Sequence, residues 1–189
     1  EKLKAVENHV QSGAELTMQL LGYARGGRYE MKTTDLNDLI RKTAVMFGRT
    51  KREITIHERY QQDLSPVDVD RGQMEQVLIN LFLNAWQAMP GGGDLFLETE
   101  NVLIDDSYVA PYEIKVGRYV RLSVIDNGIG MDEATRQRIF DPFFTTKEMG
   151  RGTGLGLASV YGIVKGHGGF VNVDSEKGRG SSFHIFLPV

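Results

Sequence analysis

The 22 glycines of this chain constrain its fold more than any other feature, because they are not spread evenly. After a scattered few come Gly91-Gly92-Gly93, then Gly128 and Gly130. The densest stretch is Gly150, Gly152, Gly154, Gly156, Gly162, Gly166, Gly168 and Gly169, followed by Gly178 and Gly180. Glycine at this density, without low complexity, brings backbone close to a ligand or holds it in left-handed turns. Apolar segments separate the clusters, and 189 residues allow one domain with a full core, or one domain plus a short appendage.

The remaining composition excludes several classes of function. Lys plus Arg number 22 against 25 Asp plus Glu, a net charge of −3, which argues against a nucleic-acid partner. No apolar run approaches the roughly 18 residues of a membrane helix, so no membrane contact is expected of this segment. No signal peptide is expected at its start. Without cysteine, thiol catalysis, disulfides and thiolate metal sites are excluded. The first residue is Glu rather than Met, and we expect a piece of something longer.

Residues 2 to 24 read as a helix whose Leu3, Val6, Val10, Gly13, Thr17, Leu20 and Ala24 form a seam for a partner helix, ended by Gly26-Gly27. A short strand over Met31–Thr34 leads to a helix over Leu36–Phe47, with Asp35 as N-cap. Ile54–Tyr60 reads as a strand and Arg71–Met89 as a long helix stopped by Pro90 and its glycines. Strands over Leu95–Ile104 and Tyr119–Ile125 flank an excursion containing Tyr and Pro. A short helix near Asp132–Ile139, a helix over Leu155–Lys165, and a hairpin of Phe170–Asp174 with Ser182–Leu187 complete the pattern. Interleaved helices with hairpin-linked strands predict an α+β fold. The expected architecture is a two-layer sandwich: a mixed, mostly antiparallel sheet with helices on one face, preceded by a long N-terminal helix.

Four segments carry chemistry. On the long helix, at 100° per residue, Gln73, Gln76, Asn80, Asn84 and Gln87 fall within roughly 80° of one another. A solvated face would carry Lys and Glu, whereas this stripe holds only amides, and Asn is a poor mid-helix residue. An amide oxygen is a hard, neutral ligand suited to Mg²⁺, which takes the rest of its shell from waters and phosphates. In Val124-Ile125-Asp126-Asn127-Gly128-Ile129-Gly130-Met131 a strand ends in a carboxylate able to accept from an exocyclic amine, beside glycines that admit a flat ring. Alone, the same residues also make an ordinary turn. Gly150-Arg151-Gly152-Thr153-Gly154-Leu155-Gly156-Leu157 runs into an apolar helix and offers backbone N–H groups and a helix dipole to an anion. It is neither a Walker loop nor a dinucleotide fingerprint. Between them, Ile139-Phe140-Asp141-Pro142-Phe143-Phe144-Thr145-Thr146-Lys147 reads as a loop held by its Phe residues, with Lys147 free to meet a terminal phosphate.

Together, in this order, these segments resemble the catalytic ATP-binding domain of bacterial sensor histidine kinases, in the superfamily shared with gyrase, the mismatch-repair ATPase MutL and the ninety-kilodalton heat-shock chaperone. Gln76 to Met89 is similar to the family's N box, and Asp126 to Gly130 to its first glycine box. Phe140 to Phe144 is similar to its F box, Gly152 to Gly156 to its second glycine box, and Gly180-Ser181-Ser182-Phe183 to its terminal Gly-Thr-x-Phe element, with Ser181 in place of Thr. Residues 2 to 25 resemble the second helix of the family's dimerisation and phosphoacceptor hairpin, which divides the chain into residues 1–27 and a catalytic domain over 28–189.

The resemblance implies roles. Asn84 would coordinate Mg²⁺, with Asn80 facing the phosphates; Asp126 would accept from the adenine amine, with Gly128 and Gly130 making room. Gly152, Thr153, Gly154, Leu155 and Gly156 would surround the triphosphate, Ser181 would line the nucleotide site, and Lys147 would sit in a mobile ATP lid from Thr145 to Arg151. Hydrolysing relatives carry a Glu general base where Asn80 stands, and an amide cannot take that proton. The implied activity is therefore transfer of the ATP γ-phosphoryl group to a His, for relay to the Asp of a response-regulator receiver domain. The acceptor His belongs to the other hairpin helix: His9 lies in the wrong context, and His57, His167 and His184 are not on a hairpin helix. The parent protein is expected to be a homodimer with this part in the cytoplasm. A serine kinase of the anti-sigma type and a degenerate, non-catalytic interaction module are the rival readings.

Overall fold

A computed structural model describes residues 30–105, 115–147 and 152–189. The expected N-terminal helix and its seam, His9, the middle of the Tyr- and Pro-containing excursion, and the lid residues from 148 to Arg151 lie outside the described residues.

Along the chain the elements are β1 (Lys32–Thr34), α1 (Leu36–Thr50), β2 (Ile54–Tyr60), β3 (Val67–Val69), α2 (Arg71–Ala88), β4 (Gly93–Ile104), β5 (Gly117–Asp126), α3 (Glu133–Arg136), α4 (Gly156–Gly166), β6 (Phe170–Ser175) and β7 (Ser181–Pro188). Five strands form one sheet in the order β2-β4-β5-β7-β6; β2 and β4 are parallel and the other neighbours antiparallel. This is the expected mixed, mostly antiparallel sheet. A second, two-stranded sheet pairs β1 with β3. β3 was not expected from the sequence, since three residues just after Pro66 carry too little pattern.

Local chemistry sets the helix starts. Asp35 accepts from the Asp38 N–H at 3.1 Å, and Asp70 accepts from the Gln73 N–H at 3.1 Å, each satisfying a donor that its helix leaves open. α3 is shorter than the expected Asp132–Ile139 helix: Asp132 caps it, and it ends after one turn.

One core fills the space between the sheet and the helices. Leu95, Leu97, Leu122, Val124 and Ile185 point from the sheet into Leu39, Ile40, Met74, Val77, Leu78, Leu81, Phe82, Val160 and Val164 of α1, α2 and α4. α2 is apolar around most of its circumference because it packs against α1, α4 and the sheet together. Its amide stripe stays outside that core. The opposite sheet face carries a small apolar cluster of Ile104, Tyr119, Phe170 and Phe186 beside polar side chains such as Ser123, whose hydroxyl meets His184 Nδ1 at 2.8 Å. Among the described residues, no helix is long and apolar enough to cross a membrane.

Candidate nucleotide site

The C-terminal half of α2 is where the predicted segments meet. Asn80 Nδ2 donates to the Gly156 carbonyl at 3.2 Å, tying the amide stripe to the first residue of α4. A Cβ on Gly156 would lie 3.8 Å from Asn80 Oδ1 and 3.9 Å from Asn84 Nδ2, so this glycine sits directly over both amides. One turn further, Lys147 donates to Gln87 Oε1. At the helix end, the Ile129 N–H donates to the Ala88 carbonyl at 3.0 Å, and a Cβ on Gly128 would come within 2.5 Å of that same oxygen. Gly128 is thus required by the approach of its turn to α2. The loops carrying Asp126, Lys147 and Gly156 are all bound to one helix.

Asp126 ends β5, opposite Ser181 of β7 in the sheet register. It is only 5% exposed. Its Oδ1 accepts from the Gly128 N–H at 2.9 Å. Burial pushes its carboxyl above the ordinary value of 3.8, and the N–H groups of Gly128 and Ser181 partly oppose that rise. Gly180 holds the turn beside it: φ is +83°, and a Cβ would lie 1.9 Å from the Asp126 carbonyl. Ser181 itself is turned to Ser175, Oγ to Oγ at 3.1 Å, and is buried.

At the second glycine segment, the Thr153 hydroxyl faces the Leu155 N–H at 3.4 Å. Leu155 is buried at 7% exposure, so its side chain serves the core and only its backbone is available to a ligand. The first N–H groups of α4 have no partner within the helix, and the helix has no side-chain cap. Gly154 adopts φ +66° with its backbone against Phe143, whose N–H donates to the Gly154 carbonyl at 3.0 Å. Gly152 lies beside Lys147 and Thr145, at 3.1 Å from each for a virtual Cβ.

One expectation fails here. Phe140 packs against the core and Tyr161, and half-buried Phe144 lies against Arg138, with 4.4 Å from the guanidinium carbon to the ring centroid. Phe143 is 67% exposed and holds nothing down. Its φ of +67° explains this: the left-handed backbone that lets it meet Gly154 turns the ring outward.

Sequence reasoning also missed Asp94, Gln87 as a partner of Lys147, and His167. Asp94 and Asn127 exchange two hydrogen bonds of 3.0 Å, which fix the turn after Asp126 to the start of β4. His57 Nε2 reaches Asp94 Oδ1 at 2.7 Å. These contacts join residues more than thirty positions apart, and no local pattern announces them.

The amides suit a magnesium ion that takes most of its ligands from phosphates. Among the described residues no cluster of three His, Asp or Glu side chains is placed to hold a metal by itself. Nor does any described residue hydrogen-bond the half-buried Asn84 amide, which leaves its oxygen available. A concavity of about 460 Å³ touches the predicted set only at Asp126 and otherwise runs along ion-paired Glu133, Arg136, Glu176 and Arg179. It lacks the apolar walls a base would need, so the site is defined by the convergence on α2 instead.

Comparison with known proteins assigns the class. Residues 69–189 match the family described as histidine kinase-, DNA gyrase B- and HSP90-like ATPase, and the chain belongs to that family. It is 40% identical to the sensor kinase CckA of Brucella abortus over 97% of its own length, which is 20% of that protein. Full-length ShkA in complex with AMPPNP superposes with a TM-score of 0.76 at 29% identity, covering 98% of this chain and 37% of that one. Histidine kinase ThkA in complex with the response regulator TrrA gives 0.74 at 27%, covering 97% of this chain and 49% of that one. The chain is therefore similar to the ATPase-type catalytic part of sensor histidine kinases and spans a fifth of its curated relative CckA.

Proposed function

We propose that this domain binds ATP with Mg²⁺ and transfers the γ-phosphoryl group to a histidine on a hairpin helix absent from this chain. The observation that carries the reading is the pair of amides, Asn80 and Asn84, beneath Gly156 at the start of α4. A triphosphate seated there meets the open N–H groups of α4 and its dipole. Asn84 offers the oxygen for Mg²⁺, which supplies charge neutralisation on the phosphates when bound. Asp126 accepts from the adenine amine, and Lys147 exchanges Gln87 for a phosphate oxygen. Transfer breaks the bond between the γ-phosphorus and its bridging oxygen, forms a nitrogen–phosphorus bond, and releases ADP.

Asn80 decides between transfer and hydrolysis. Its amide already donates to Gly156 and has no basic lone pair to take a proton from water. The site holds ATP for an incoming nucleophile, with a receiver-domain Asp as the next acceptor and a homodimeric parent. ThkA was solved with a response regulator and ShkA with AMPPNP, which supports a receiver domain and an adenine nucleotide as the partners.

Titration with Mg-ATP and with magnesium-free adenosine tests the reading. Asn84→Ala should weaken the first by about tenfold or more and leave the second nearly unchanged. Equal losses would make Asn84 structural. With γ-labelled ATP, a separately supplied acceptor hairpin from the parent protein should gain acid-labile label, and the Asn84→Ala chain should fail to label it. A wild-type chain that ignores Mg-ATP would return the domain to a non-catalytic interaction module.

A further inference from the structure

His167 is one of the four histidines and has no part in the chemistry above. It closes α4 and is 5% exposed. Its Nδ1 lies 2.7 Å from the Ile163 carbonyl, and its Nε2 lies 3.0 Å from the Asp70 N–H. A carbonyl only accepts and a backbone N–H only donates, so the proton sits on Nδ1 and Nε2 is a bare acceptor. The ring therefore ties the end of α4 to the residue that caps α2.

That cap is itself fully engaged. Asp70 Oδ1 accepts from Gln73, the first turn of α2, and Oδ2 accepts from the Glu30 N–H at 3.2 Å. Glu30 lies two residues before Lys32, which pairs with Val69. At the start of α4, Asn80 Nδ2, midway along α2, holds the Gly156 carbonyl. From Asp70 to Asn80 the helical rise is about 15 Å, and from Gly156 to His167 about 16 Å. The two spans match: α4 runs antiparallel to the first half of α2, with one polar pin at each end of α4. Between the pins, Val77, Leu78, Val160 and Val164 belong to one apolar core, which resists separation but tolerates sliding more readily than a directional bond does.

We propose that His167 is a positioning residue: by pinning the α4 end to the α2 cap, it sets the axial register of the two helices and hence the placement of Gly156 over Asn80 and Asn84. The inference rests on the nucleotide reading of that site and adds to it the residue that holds the phosphate-facing glycine against the Asn80 and Asn84 amides. Asp70 receives the chain from Glu30 on one side and His167 on the other. The segment entering from the N-terminal side is therefore bonded to the same register.

Two substitutions separate register from bulk. His167→Phe keeps an aromatic ring and removes both bonds; His167→Gln offers an amide oxygen to Asp70 and an amide donor to Ile163. The Phe variant should lose about tenfold in Mg-ATP affinity with adenosine affinity unchanged, and the Gln variant should recover most of the loss. In ¹⁵N spectra of the nucleotide-free chain, the Asn80 side-chain amide signal should move in the Phe variant and stay in place in the Gln variant. Equal weakening of Mg-ATP and adenosine would overturn the proposal, as would an unmoved Asn80 signal. Should the wild-type chain ignore Mg-ATP, the nucleotide reading falls, and the Asn80 signal alone still decides whether the register is pinned.

Discussion

Gly156→Ala separates what the site needs from what the fold needs. Gly156 is the first residue of α4, with no positive φ and no contact tighter than 3.8 Å for an added methyl. Alanine at a compatible position restricts the unfolded chain and favours helix, a gain of about 0.4–1 kcal/mol. For a chain of this size that raises the unfolding midpoint by roughly 1–4 °C. The same methyl stands 3.8 Å from the Asn80 amide and 3.9 Å from the Asn84 amide, in the space where a phosphate and its metal would lie. Mg-ATP affinity should fall about tenfold or more, while adenosine affinity holds, because the adenine end depends on Asp126 instead. Thermal melts without nucleotide, followed by titrations with both ligands, give the two readings on one sample. A lowered midpoint, or Mg-ATP binding that survives the methyl, would refute the reasoning.

Gly180→Ala should behave oppositely, costing roughly 3 kcal/mol of stability, because φ is +83° and the methyl would overlap the Asp126 carbonyl at 1.9 Å; a folded variant with unchanged urea midpoint would contradict this. Asp126→Asn should stabilise the nucleotide-free domain at pH 7 and weaken adenosine binding. Burial raises the Asp126 carboxyl above 3.8, so its destabilising contribution is absent below 3.8 and present above the raised value. The gain should therefore vanish in urea melts at low pH, and a gain independent of pH would refute the assignment. His184 is lowered from 6.5, first by burial and then by the Arg121 guanidinium, against the pull of Asp174, Glu100 and Glu98. Its unfolded form takes up a proton that the folded form resists, so stability falls as pH drops below 6.5; His184→Asn should flatten that slope, and an unchanged slope would exclude His184 as its source.

What the sequence disclosed and what it withheld divide along the range of the interactions. The amide stripe was legible because helical periodicity alone puts Asn80 and Asn84 on one face, and the strand-ending Asp126 was legible because its glycines follow within four residues. Asp35 and Asp70 cap their helices through bonds spanning three residues, a distance that sequence pattern covers. The same logic misread Phe143, since an aromatic beside a proline reads as an anchor and nothing local reports a φ of +67°. That angle is set by a bond to Gly154, on the far side of the loop. Asp94 with Asn127, Lys147 with Gln87, and His167 with Asp70 are separated by 33, 60 and 97 positions. Each is a polar contact between elements that a common core brings together. Periodicity specifies which face of a helix is buried, but the polar pin at its end depends on how far the neighbouring helix slides before the core closes. The residues that contact a ligand can therefore be read from motifs, whereas the residues that hold those motifs in register require the folded geometry.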